Sequence, residues 1–192
     1  KKIVGAALSS AAVYGIVFSG YTYGKILNNE IKRTVLGIQL QSLSNFTEIE
    51  GNHIGATADA DKIQNIGIAV LSTTNFEVKN NFISGLLRTA TSSTAGIVLG
   101  IAVTGDPLND GNINNNLIKD IKHTGTGLSA YAAYGIRLSG NTAITNSNIR
   151  VFNNVITDIW ADGDAGVSFN PVGIYANQGA GYQIYYNSIN LY

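Results

Sequence analysis

The residues whose types and spacing could do chemistry are acidic. Asp158-Ile-Trp-Ala-Asp162-Gly-Asp164 sets three carboxylates around a glycine. That spacing has the flavour of a calcium loop, because a hard cation takes several oxygen ligands from a turn. It lacks the full spacing and the closing glutamate of a twelve-residue calcium loop, so a glycine-rich turn is the preferred reading. Asp59 and Asp61 read the same way. Asp120 and Asp158 form a second candidate pair. Each lies four residues after a recurring asparagine, which predicts that they stack on neighbouring coils of a repeat. Two carboxylates so placed repel unless water or a cation bridges them. Calcium is the one ion this chain could take, and no other cofactor is implied.

His53 and His123 occupy different phases of the repeat and make neither a metal-ligand spacing nor a Ser-His-Asp arrangement. Both are expected at the surface or in turns. Lys119 and Arg137 have the chemistry of a catalytic base, but Arg137 is expected on an ordinary solvent-facing strand position, in a column with Val17, Gln39, Ala69, Val98 and Tyr175. Ten tyrosines and one tryptophan supply aromatic surface. Tyr175, Tyr185 and Trp160 are the candidates for stacking on sugar rings; packing on a flat sheet is the plainer role for such rings. No catalytic residue can be assigned from the sequence.

The elements that must position these groups are repeats. Gly-Ile recurs at Gly15-Ile16, Gly37-Ile38, Gly67-Ile68, Gly96-Ile97, Gly135-Ile136 and Gly173-Ile174. Asn-x-Ile recurs at Asn29-Glu-Ile31, Asn52-His-Ile54, Asn81-Phe-Ile83, Asn116-Leu-Ile118, Asn154-Val-Ile156 and Asn187-Ser-Ile189. The two marks follow one another in every coil. Successive asparagines are 23, 29, 35, 38 and 33 residues apart. Helical repeats and propeller blades keep a fixed period. Fixed strand marks with variable spacing fit a right-handed parallel β-helix, all-β, of about six coils. From glycine to asparagine takes 14 or 15 residues in four coils and 20 and 19 in the others. The surplus falls at Gly105–Gly111 and Gly140–Asn146, which are expected to loop out.

In such a solenoid a residue type repeated once per coil forms a column, because paired strands lie about 4.8 Å apart. Three inward columns are expected: Ile16, Ile38, Ile68, Ile97, Ile136 and Ile174; Ile31, Ile54, Ile83, Ile118, Ile156 and Ile189; Ile26, Ile49, Val78, Ile113, Val151 and Ile184. Asn29, Asn52, Asn81, Asn116, Asn154 and Asn187 should form an internal ladder, since an amide both donates and accepts. The same asparagines are expected at a bend, where asparagine tolerates a left-handed backbone, and the position before each of them (Asn28, Gly51, Asn80, Asn115, Asn153 and Tyr186) reads as a turn site.

Composition narrows the function classes. Apolar residues make up 45% of the 192 residues and charged ones 12%, with a formal net charge of zero. That composition opposes disorder, and the neutral balance argues against nucleic acid or an anionic membrane as partner. Without cysteine there are no disulfides, thiolate nucleophiles or zinc-thiolate sites. Lys1-Lys2 followed by Ile3–Phe18 imitates a signal peptide. However, Val13–Gly20 nearly repeats Ala133–Gly140, and Lys1-Lys-Ile3 aligns with Lys119-Asp-Ile121, so the segment reads as part of the repeat. No membrane insertion is expected.

With these marks the chain resembles the parallel β-helix proteins of the pectate-lyase-like superfamily. Tyr182–Tyr192 and Gly173–Gly179 are similar to large secreted repeat proteins of Bacteroidota. The resemblance implies an extracellular or cell-surface location and a polysaccharide partner. It implies one of three roles: a non-enzymatic module with structural, adhesive or glycan-binding duty, a fragment of a polysaccharide lyase or hydrolase, or a self-assembling filament subunit. The whole of 1–192 reads as one domain. The matching phase of its two ends predicts a segment of a longer solenoid, or stacking with copies of itself.

Overall fold

The structure, a computed structural model, describes residues 1–5, 13–89, 96–125, 131–143, 145–161 and 170–191. Its strands fall into three parallel sheets visited in rotation. Sheet A holds β1 (Lys2–Val4), β4 (Glu30–Lys32), β7 (His53–Ile54), β10 (Phe82–Arg88), β13 (Leu117–His123), β16 (Val155–Ala161) and β19 (Ser188–Asn190). Sheet B holds β2 (Tyr14–Ser19), β5 (Leu36–Gln41), β8 (Ile66–Leu71), β11 (Gly96–Gly105), β14 (Tyr131–Gly140) and β17 (Val172–Gln178). Sheet C holds β3 (Lys25–Leu27), β6 (Asn45–Glu50), β9 (Thr74–Lys79), β12 (Asn112–Asn114), β15 (Ile149–Phe152) and β18 (Tyr182–Tyr185). Each strand pairs with the strand three places along the chain. This is a parallel β-helix.

Register confirms two isoleucine columns as read from the sequence. Ile31, Ile54, Ile83, Ile118, Ile156 and Ile189 are consecutive partners in sheet A, and Ile26, Ile49, Val78, Ile113, Val151 and Ile184 in sheet C. The third column is corrected at one coil. Ile101, not Ile97, pairs with Ile68 and Ile136. Ile97 pairs with Ala132 and packs outside the core.

Sterics explain the correction. A Cβ on Gly67 would lie 2.7 Å from the Gly100 carbonyl oxygen and 2.8 Å from Ile83 Cγ2. One on Gly100 would lie 2.6 Å from both the Gly135 oxygen and Ile118 Cγ2. Gly15, Gly37 and Gly135 sit in equivalent contacts. The glycine of one mark therefore makes room for the isoleucine of the other, which is why the two marks travel together. Gly96 is a glycine for another reason: its Cβ would meet the Arg88 side chain at 2.3 Å. The same shift places Ala102, not Val98, in the column of Arg137. Ile3 also moves, since it pairs with Ile31 and so lines up with Ile118 rather than Ile121. Leu108, in the first segment expected to loop out, returns to the core and is 1% exposed.

The asparagine ladder forms as expected. Each Nδ2 donates to the Oδ1 of the next asparagine: Asn29 to Asn52, Asn52 to Asn81 and Asn81 to Asn116 at 3.0 Å, then Asn116 to Asn154 and Asn154 to Asn187 at 2.9 Å. The same Oδ1 atoms accept from the backbone N–H of the asparagine before, and the Nδ2 groups also reach sheet C carbonyls such as those of Ile26, Ile49 and Val78. Asn52, Asn81, Asn116 and Asn154 are buried, so their polar groups depend on this network. The left-handed residue is the one before each ladder asparagine, at the expected turn site: Asn28, Gly51, Asn80, Asn115, Asn153 and Tyr186. The ladder residues themselves are free to point inward.

Candidate functional site

Because sheet A points its isoleucines inward, the variable residue of Asn-x-Ile points outward. In order these are Glu30, His53, Phe82, Leu117, Val155 and Ser188. The neighbouring outward column includes Lys32, Ser84 and Lys119. Glu30, Lys32, His53, Phe82, Ser84 and Lys119 surround a cavity of about 220 Å³. The His53 and Phe82 rings lie 4.8 Å apart at 47°. Lys119 Nζ sits 5.2 Å from the Phe82 ring centre, a cation–π contact. Lys119 makes no ion pair among the described residues. The floor includes Gly55, whose φ is +105° and whose Cβ would lie 1.9 Å from the Ser84 carbonyl oxygen. Only glycine allows the coils to approach this closely there.

Beside the cavity, ion pairs occupy the acidic groups. Glu30 lies 3.9 Å from Lys2 and 3.7 Å from Lys32. Lys32 is 3.6 Å from Asp61, and Asp61 accepts from Arg33 Nη2 at 2.6 Å and Nε at 2.9 Å. The Arg33 hydrogen bonds hold the Asp61 carboxyl below its usual range. Asp120 and Asp158 stack as the sequence predicts, both with left-handed backbone. The cation between them is a lysine: Lys122 Nζ is 2.9 Å from Asp120 and 3.2 Å from Asp158. Lys62 adds a contact of 3.1 Å to Asp120 and one of 3.2 Å to Asp59. Its own bonds, to Asp120 foremost and then to Asp158, raise the pKa of Lys122. On sheet C, Lys79 and Lys25 hold Glu48 down to about 2.

The remaining sequence candidates scatter. Asp162 and Asp164 lie outside the described residues, and no group of three or more His, Asp or Glu side chains suited to a metal occurs among the described ones. Trp160 is 53% exposed on sheet A, Tyr175 packs on Tyr134 outside sheet B, and Tyr185 stacks on Phe152 on sheet C at 5.2 Å. One ligand cannot engage aromatics on three sheets, so they form no common platform. His53 is exposed as expected. His123 is not: it is 0% exposed, and its Nδ1 accepts from the Gly125 N–H at 3.1 Å. It is the last residue of β13 and faces inward. Arg137 is likewise not on a bare face, for Ala69 and Ala102 in its column are buried and an apolar layer covers the outside of sheet B. The Phe82 site was hidden in the letter x of the repeat, between the two residues that repeat.

No protein-family model matches the chain, and no curated protein matches it. Solved structures do. A mutant of DFA-IIIase from Arthrobacter chlorophenolicus A6, crystallised in complex with DFA-III, superposes with a TM-score of 0.56 at 12% identity, over 93% of this chain and 43% of that one. DFA-IIIase from the same organism in complex with GF2 matches at 12% identity with a TM-score of 0.27, over 90% and 44%. The first likeness is one of fold. The chain spans less than half the length of that neighbour. No helix among the described residues is long and apolar enough to cross a membrane.

Proposed function

We propose that this chain is a non-enzymatic β-helix module, extracellular or at the cell surface, that binds glycan on the outer face of sheet A. The observation that carries the reading is the Phe82 cavity. An aromatic face beside His53, with the Lys119 ammonium and the Glu30 carboxylate at its edges, suits a sugar ring, which offers C–H faces to an aromatic and hydroxyls to polar neighbours. Among the described residues, the carboxylates of Glu30, Asp61, Asp120 and Asp158 are engaged by lysine and arginine. Asp61, held below its usual range by Arg33, is a poor proton donor. A glycan array tests the proposal. The native chain should retain a defined set of glycans, and Phe82→Ala should weaken retention tenfold or more, about 1.4 kcal/mol. An array without retained glycans, or an unaffected Phe82→Ala variant, would overturn it.

A second reading is supported by Glu30 and His53 lining one cavity on the fold of an enzyme that was crystallised with DFA-III. In it the chain is part of a glycoside hydrolase or lyase. Release of product from any retained glycan, abolished by Glu30→Gln, would favour this reading over the first.

A further inference from the structure

The outside of sheet B carries a second apolar layer, separate from the core. Leu99, Ala102, Ala132 and Tyr134 are buried there, with Ile66 and Tyr175 packed against them. The column Val17, Gln39, Ala69, Ala102, Arg137 and Tyr175 runs through this layer. Beside Arg137 the residue is the small Ala102, and the space left is a cavity of about 170 Å³ with walls from Ile66, Leu71, Leu99 and Ala102 and with Arg137 on its lining. At roughly 30 Å³ per water-sized group, it holds about five or six.

Arg137 is the anomaly in this setting. Its Nε is buried and makes no hydrogen bond, and no carboxylate lies within ion-pair distance of its guanidinium among the described residues. The nearby phenol does not replace one: burial, and then Tyr175, push the Tyr134 pKa up, so it stays neutral. The side chain as a whole is half-buried, but an N–H of a charged group shielded from water without an acceptor is costly. Water would satisfy the donor but would leave apolar walls wet. A carboxylate carried on a short apolar body satisfies both, because the guanidinium fork matches a carboxylate's two oxygens.

We propose that this cavity is a binding site for a small organic acid, with the carboxylate on Arg137 and the apolar body over Ala102 against the wall formed by Ile66 and Leu99. The site lies on a different sheet from the Phe82 cavity and does not depend on that reading.

Calorimetric titration of the full chain with hexanoate tests it, with hexan-1-ol as the uncharged probe of equal length. Hexanoate should bind saturably and at least tenfold more tightly than the alcohol. Arg137→Gln should weaken hexanoate at least tenfold and leave the alcohol unchanged. Ala102→Leu, which fills the cavity, should abolish binding of both. If that variant fails to fold, the smaller Ala102→Val should weaken both. Absence of saturable hexanoate binding to the native chain would overturn the proposal, as would equal affinity in Arg137→Gln or in a folded Ala102 variant.

Discussion

The two faces of sheet A are built from adjacent residues under opposite rules. Inward, Ile3, Ile31, Ile54, Ile83, Ile118, Ile156 and Ile189 repeat without exception. Outward, one residue away, stand Lys2, Glu30, His53, Phe82, Leu117, Val155 and Ser188, no two alike. Both columns are spaced by the same strand pairing. The inner column differs because the isoleucines from Ile31 to Ile189 are each packed against a glycine of sheet B, and those from Ile31 to Ile156 have their own kind above and below. A change there is felt by three coils at once. An outward side chain meets solvent and a neighbour or two, so it can vary without disturbing the stack. In a solenoid, repetition marks what holds the coils together, and variation beside it marks where recognition can be placed.

That division can be broken in order of expected effect. Asn81→Ala should be the most damaging single change. It removes the acceptor for two Asn52 donors and the donor to the Ile49 carbonyl and Asn116. At about 1–3 kcal/mol for each stranded buried group, a loss of roughly 4 kcal/mol or more is expected in urea denaturation. Gly100→Ala should follow, at about 2–3 kcal/mol, because its methyl would meet backbone oxygen and a core isoleucine. Gly96→Ala, four residues away, should lose about 1 kcal/mol or less, since only the flexible Arg88 side chain must give way. Equal losses at the two glycines would return the Gly-Ile mark to Gly96.

The outer ion pairs should count for less and show it through pH. Glu48 has a folded pKa of about 2 against an ordinary 4.5. Its contribution is therefore complete above about 4.5 and is lost as pH falls toward 2. Lys79, its partner, is raised, so its share persists through neutral pH and goes only at strongly alkaline pH. Thermal melts of the native chain should drop across the acid interval, and Glu48→Gln should flatten that drop while changing the neutral-pH melt only slightly. An unchanged acid limb would remove Glu48 from the account.

Much of this was legible in the sequence. The asparagine ladder and two of the three inward columns could be read directly, because a residue type that must stack on itself cannot vary. Gly96-Ile97 misled because the fourth coil carries Gly-Ile twice, at Gly96-Ile97 and Gly100-Ile101, and the contacts with Ile118 and the Gly135 oxygen mark the second as the structural one. The Asp120–Asp158 pair was legible as a stack but not its cation, since Lys122 is brought between the carboxylates by a left-handed bend at both aspartates. His123 read as a turn residue because nothing local marks the end of β13 as inward. His53 and Phe82 both fill the x of Asn-x-Ile, so their stacking follows once the coils are aligned, but their unlike residue types gave no signal; Lys119, in the neighbouring column, joins them only in the structure.

The most direct test of the division is one urea-denaturation experiment on Asn81→Ala and Phe82→Ala, neighbours in the chain on opposite sides of the wall. The account predicts a loss of roughly 4 kcal/mol or more for the first and less than about 1 kcal/mol for the second. Losses of similar size would contradict it, because the outward face would then be as much a part of the fold as the ladder.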